Sequence, residues 1–68
     1  MADPVYKTVE VTGTSTTTVN DAIQGAVAKA SETLRNLDWF EVINVRGNIS
    51  DGKVDHFQVT LKLGFRLE

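Results

Sequence analysis

The sequence predicts an α+β domain of order β-α-β-β, a three-stranded antiparallel sheet with its third strand central, packed on one amphipathic helix. Three observations predict it. Val5–Thr12 alternates with period two, an apolar stripe of helical period runs from Val19 to Leu37, and two further alternating segments meet across Asp51-Gly52. With 68 residues and no linker or repeat, the chain is a single domain spanning 1–68.

In the first segment Val5, Lys7, Val9 and Val11 alternate with Tyr6, Thr8, Glu10 and Thr12, a β-branched pattern for a strand with one apolar face. Gly13 is expected to end it. Thr17 or Thr18 is placed to cap a helix, with Asn20 and Asp21 in the first turn favouring its positive end. Val19, Ala22, Ile23, Ala26, Val27, Ala30, Leu34 and Leu37 then fall on one stripe about five turns long, ending between Asn36 and Asp38. Several stripe residues are small, so the helix can sit close to the sheet.

The next segment alternates at Phe40 and Val42, and again at Ile43, Val45 and Ile49, with a phase slip at Val42-Ile43 that one β-bulge would repair. The last is the cleanest. Phe57, Val59, Leu61, Leu63, Phe65 and Leu67 face one way, while His56, Gln58, Thr60, Lys62, Gly64 and Arg66 face the other. The helix returns the chain so that the first two strands run parallel. The hairpin reverses the third, and an all-antiparallel sheet then needs it in the middle. The helix covers one face of that sheet and nothing remains to cover the other.

Composition narrows the function. Seven Lys+Arg against nine Asp+Glu, a net charge of −2, argues against a nucleic-acid partner. With no cysteine there is no disulfide, thiolate metal site or thiol nucleophile. No apolar run approaches the roughly 20 residues of a membrane span. Met1-Ala2-Asp3-Pro4 lacks the charged and apolar regions of a signal peptide, so a cytoplasmic protein without membrane association is expected. A lone core in so short a chain rarely supplies more than about 3–5 kcal/mol, so self-association is expected to support the fold.

Registering the hairpin tests the uncovered face. A three-residue loop, Asp51 to Lys53, pairs Ser50 with Val54 and keeps inward residues opposite inward ones; a two-residue loop is rejected because it opposes inward to outward. With the bulge, Arg46 lies across from Gln58, Val45 from Val59, Glu41 from Lys62 and Trp39 from Gly64. Trp39, Arg46, Gln58, Lys62 and Arg66 then share the helix-free face. Two readings stay open: Trp39 buries area against another subunit, or it forms a stacking platform for a flat heteroaromatic ligand whose polar edge Gln58 reads.

The run Gly13-Thr14-Ser15, the Ala-rich helix, Leu37-Asp38-Trp39-Phe40-Glu41-Val42, Val45-Arg46-Gly47 and Phe57-Gln58-Val59 together resemble the dodecin family, from Val5 to Leu67. The resemblance implies a flavin-binding homo-oligomer, a hollow dodecamer of self-associated chains that stores or sequesters flavin. Flavin pairs would lie between tryptophans at a subunit interface. Trp39 would be that tryptophan, Gln58 the residue at the pyrimidine edge, and Arg46 a basic position near the ligand or a neighbouring subunit. Arg66 would be a phosphate contact or an inter-subunit ion pair. FMN is the expected flavin, with riboflavin, FAD and lumichrome as alternatives. An indole stacked on the ring would quench its photochemistry by electron transfer. The alternative function is a structural or protein-interaction oligomer with no small-molecule ligand.

The remaining polar residues suggest no catalysis. His56 is the only histidine, and Asp55 beside it is expected to point to the opposite face, which leaves no catalytic or metal pair. Thr14–Thr18 reads as capping and loop, Asp51 and Asp55 as solvated turn residues, and Glu10 as a candidate partner for an arginine of another subunit. No phosphate loop, paired-carboxylate site or Ser/His/Asp set is present, and an enzyme is not expected.

Overall fold

The computed structural model describes residues 3–68, which form β1 (Tyr6–Ser15), α1 (Val19–Ser31), β2 (Leu37–Ser50) and β3 (Lys53–Arg66). The leader reading at Met1-Ala2 lies outside the described residues. Both strand pairs are antiparallel and the sheet order is β1-β3-β2, with the third strand central as predicted.

Gly13 does not end the first strand. β1 continues through it to Ser15, and Gly13 pairs with Val59. A Cβ at that position would collide with the Ala22 carbonyl oxygen and lie 2.9 Å from the Ala26 Cβ. The glycine is there so that the helix can approach the sheet. Ala22 and Ala26 are accordingly buried, together with Val59, Leu61 and Leu63.

Thr18 is the helix N-cap: its backbone is extended and its Oγ1 accepts from the Asp21 N–H at 2.9 Å. Thr17 Oγ1 donates to Asp21 Oδ2 at 2.6 Å, and Ser15 Oγ accepts from the Thr17 N–H at 3.0 Å. The threonine-rich stretch thus folds onto the start of the helix. At its other end α1 stops at Ser31, well short of Leu37. Asn36 adopts φ +64°, and its backbone C=O and side-chain amide bond the backbone of Arg66 at 3.2 and 3.3 Å. That left-handed residue turns the chain into β2, so Leu37 packs against the core from the start of a strand.

The hairpin also differs. Asp51 (φ +51°) and Gly52 (φ +73°) form a two-residue turn, with both central residues left-handed, and Ser50 pairs with Lys53. The rejected loop is the one used. A register shift where Asn48 pairs with His56 and Ile49 with Val54 leaves Asp55 unpaired and restores the inward phase. Beyond it the register is the predicted one: Arg46 opposite Gln58, Val45 opposite Val59, Glu41 opposite Lys62 and Trp39 opposite Gly64, with a further shift between Val42 and Asn44.

The sheet outgrows its helix. Strands of 14 residues reach about 46 Å, whereas a 13-residue helix reaches about 20 Å. The molecule measures 57 × 20 × 13 Å, with a radius of gyration of 14.3 Å against about 11 Å for a compact chain of this length. The helix packs chiefly on β1 and β3. It therefore leaves Phe40, Val42 and Val45 of β2 exposed on its own side of the sheet, with Ile49 and Val54 beyond them toward the turn.

Candidate functional site

The predicted site residues share the helix-free face but fall into two groups. One surrounds Trp39 at the β2 start. The indole is 42% exposed and lies over Gly64, where a Cβ would overlap its Cε2 and Cζ2 and come within 2.6 Å of Cδ2. A glycine beneath and a strand partner across hold the ring flat on the sheet. Tyr6 flanks it, with ring centroids 6.5 Å apart and planes inclined at 56°. Tyr6 donates its hydroxyl proton to Asp38 Oδ2 at 3.0 Å. This hydrogen bond, helped by some loss of water and by the carboxylate's charge, holds the Tyr6 phenol above its ordinary pKa, with Arg66 opposing the shift. Arg66 pairs with Tyr6 across β1–β3 and, with Asn36, Leu37 and Asp38, lines a small polar hollow.

The second group lies toward the turn. Arg46 Nε donates to Gln58 Oε1 at 3.2 Å, Gln58 Nε2 lies 3.3 Å from His56 Nε2, and His56 Nδ1 lies 2.8 Å from Asp55 Oδ2. The two ends of this chain fix its polarity. Arginine only donates and a carboxylate only accepts, so the Gln58 carbonyl faces Arg46 and its amide N–H faces His56. That amide N–H points at His56 Nε2, and His56 Nδ1 contacts the Asp55 carboxylate. Gln58 keeps one N–H and one oxygen lone pair for a partner outside the chain.

Asp55 was expected to point away from His56. The unpaired position at Asp55 breaks the alternation and brings its carboxylate onto the imidazole. Tyr6 and Asp38 were also missed as neighbours of Trp39. The signal for Tyr6 was available in the phase of β1, where it falls on the outward set two positions from Thr8, the residue opposite Gly64.

Trp39 and Gln58 do not meet within one chain. Gly64, under the indole, and Gln58 are six residues apart on β3, about 20 Å. A three-ring heteroaromatic stacked on Trp39 cannot reach Gln58 of the same chain. The hollow of about 130 Å³ beside Trp39 is lined by Val27, Leu37, Asp38, Phe40 and Leu63 and does not include Gln58. Among the described residues, no helix is long and apolar enough to cross a membrane.

Known proteins match this chain along nearly its whole length. The family model described as Dodecin matches residues 5–68. The dodecin of Thermus thermophilus is 55% identical over 64 residues, 94% of this chain and 93% of that protein. The dodecin structure from Streptomyces coelicolor superposes with a TM-score of 0.93 at 59% identity, covering 100% of this chain and 97% of that one. A tryptophan-to-phenylalanine variant of the Thermus thermophilus dodecin superposes with a TM-score of 0.91 at 52% identity, covering 97% of this chain and 98% of that one.

Proposed function

We propose a function on the premise that these matches establish: the chain belongs to the dodecin family. It is a flavin-binding storage protein whose site is completed only when copies of the chain assemble. The observation that carries this reading is the Trp39 indole, exposed yet fixed flat against Gly64 on a sheet face that the helix does not cover. An exposed, immobile aromatic ring offers stacking without the entropy loss of ordering a mobile one, worth about 0.5–1.5 kcal/mol beyond the area it buries.

Two such faces brought together by a symmetry axis make a slot for stacked planar rings, and flavin is the planar cofactor that the family resemblance implies. Because Gln58 lies about 20 Å from the indole of its own chain, the Gln58 that reads the ligand's imide edge belongs to another copy. Arg46 holds that amide in orientation. Arg66, beside Trp39, supplies positive charge for a phosphate, which makes FMN the preferred flavin. Trp39 has a second role as electron donor: an electron-rich indole in face contact with an excited flavin quenches it. The exposed apolar strip of β2 favours the assembly this reading requires, a dodecamer of the family type.

Titration of dialysed protein with riboflavin and FMN tests the proposal. Fluorescence of the added flavin should fall on binding, and the mass in solution should be near twelve chains. Trp39→Ala should weaken binding and restore the fluorescence. A large assembly indifferent to flavin would instead assign Trp39 to sealing a protein interface, and undiminished quenching in Trp39→Ala would refute the role given to the indole.

A further inference from the structure

We propose that Tyr6 is the redox partner of Trp39: it re-reduces an oxidised Trp39 indole and passes its phenolic proton to the Asp38 carboxylate. The chain contains one tryptophan and one tyrosine, and the fold places them side by side with ring centroids 6.5 Å apart. The indole is fixed over Gly64 and the phenol is tethered by its 3.0 Å hydrogen bond to Asp38 Oδ2, so neither ring has to move for an electron to pass.

The chemistry balances. An oxidant removes one electron from the indole and leaves its radical cation. Tyr6 returns one electron to the indole while its hydroxyl proton moves along the hydrogen bond to Asp38. The products are an intact indole, a neutral phenoxyl radical on Tyr6 and a carboxylic acid at Asp38. Return of the electron from the one-electron-reduced oxidant to the phenoxyl, and of the proton from Asp38, restores the starting state. A phenol that loses an electron becomes a strong acid, so an acceptor already in hydrogen-bond contact lets electron and proton leave together without a charged phenol intermediate. In the resting protein the same bond keeps the proton on Tyr6, whose pKa is held above the ordinary value. The transfer is therefore triggered by oxidation of Trp39 alone.

The device suits a protein whose indole is repeatedly exposed to a strong oxidant. In that setting the inference rests on the proposed flavin function, since the oxidant is then a photoexcited flavin. Its chemistry requires only an oxidised Trp39. Filling the hole on Trp39 from Tyr6 spares the indole from irreversible reaction with oxygen or water.

Pulse radiolysis with azide radical, a one-electron oxidant selective for indole, tests it on the dialysed, assembled protein. The indolyl absorption should decay while a phenoxyl absorption grows at the same first-order rate, independent of protein concentration. Tyr6→Phe keeps the ring beside Trp39 and should abolish the growth; Asp38→Asn should slow it several-fold. Indolyl decay at one rate in wild type and Tyr6→Phe would overturn the proposal, as would equal rates in wild type and Asp38→Asn. Near-ultraviolet circular dichroism of Trp39 shows whether each variant keeps the geometry. Under illumination with added riboflavin, mass spectrometry should find Trp39 oxidised several-fold faster in Tyr6→Phe. Protein that fails to bind riboflavin would sink the flavin reading, while the radiolysis result still decides the role of Tyr6.

Discussion

Gly64 fixes the orientation of Trp39 by having no side chain. The smallest addition, Gly64→Ala, puts a methyl group into the plane of the indole, so the ring must lift off the sheet. Overpacking of this kind costs about 1–3 kcal/mol when a neighbour is held, and less when the ring swings free. Gly64→Ala is therefore expected to keep the fold, to alter the near-ultraviolet dichroism of Trp39 and to lower flavin affinity; unchanged affinity would show that the flat pose is dispensable. Tyr6 can be followed through its own absorbance because no second tyrosine interferes. Its phenolate should appear above the ordinary midpoint of about 10, and Asp38→Asn should bring the midpoint down toward or below that value, since Arg66 remains. The sign follows from linkage. With the folded pKa raised, the Tyr6–Asp38 contact adds its stability in full below the unfolded value and loses it as pH rises through the folded one. An unchanged midpoint in Asp38→Asn would refute the hydrogen bond as its cause. At this scale the shared face of Trp39, Arg46, Gln58 and Arg66 was legible from strand alternation once the bulge at Val42-Ile43 was allowed for. The contacts of His56 were not, because they depend on where one unpaired residue falls.

Element boundaries follow from competition between local signals. The stripe that includes Leu34 and Leu37 is compatible with a longer helix, and periodicity does not distinguish Leu37 on a helix from Leu37 opening a strand against the same core. Asn36 decides between them with its left-handed backbone and its two bonds to Arg66, a contact 30 residues away that no local pattern announces. The hairpin shows the same ambiguity. A three-residue loop and a two-residue turn with a bulge at Asp55 give one register from Gln58 onward, and Asp51-Gly52 chooses the turn that suits two left-handed residues. The bulge at Val42-Ile43 was legible because it disturbs a long alternation on both sides. The N-terminal cap was legible too, and Thr18→Ala removes the acceptor of the Asp21 N–H. Thermal denaturation should register a loss of about 1 kcal/mol. If stability is unchanged, Thr17 or Ser15 is supplying the cap.

The whole molecule is thin, with a small buried core for its length. Its buried core consists of Ala22, Ala26, Val59, Leu61 and Leu63, while Phe40 at 51% exposure, Val45 at 50% and Ile49 at 74% leave an apolar strip along the edge strand β2. An exposed apolar edge strand also offers unpaired backbone groups, so isolated chains face both a deficit of burial and a hazard of indiscriminate pairing. Under the proposed function, assembly with copies of itself would answer both, and would make folding and association one process rather than two. The alternation of β2 shows which residues point toward the helix side. It does not show that a 13-residue helix leaves half of that side open, because helix length and strand length are compared only once both are built. Placing a carboxylate in the strip tests the coupling. Val45→Glu, opposite buried Val59 but itself half exposed, gives a charge that an isolated chain can solvate and an assembled one cannot. Sedimentation should show a shift to small species, and far-ultraviolet dichroism should fall at the same protein concentration at which the assembly is lost. Trp39→Phe, by contrast, should leave sedimentation unchanged, because it alters the helix-free face and not this strip. A Val45→Glu chain that sediments as a monomer yet keeps its secondary structure and thermal stability would mean that the single subunit is stable alone, and that the exposed strip serves something other than folding.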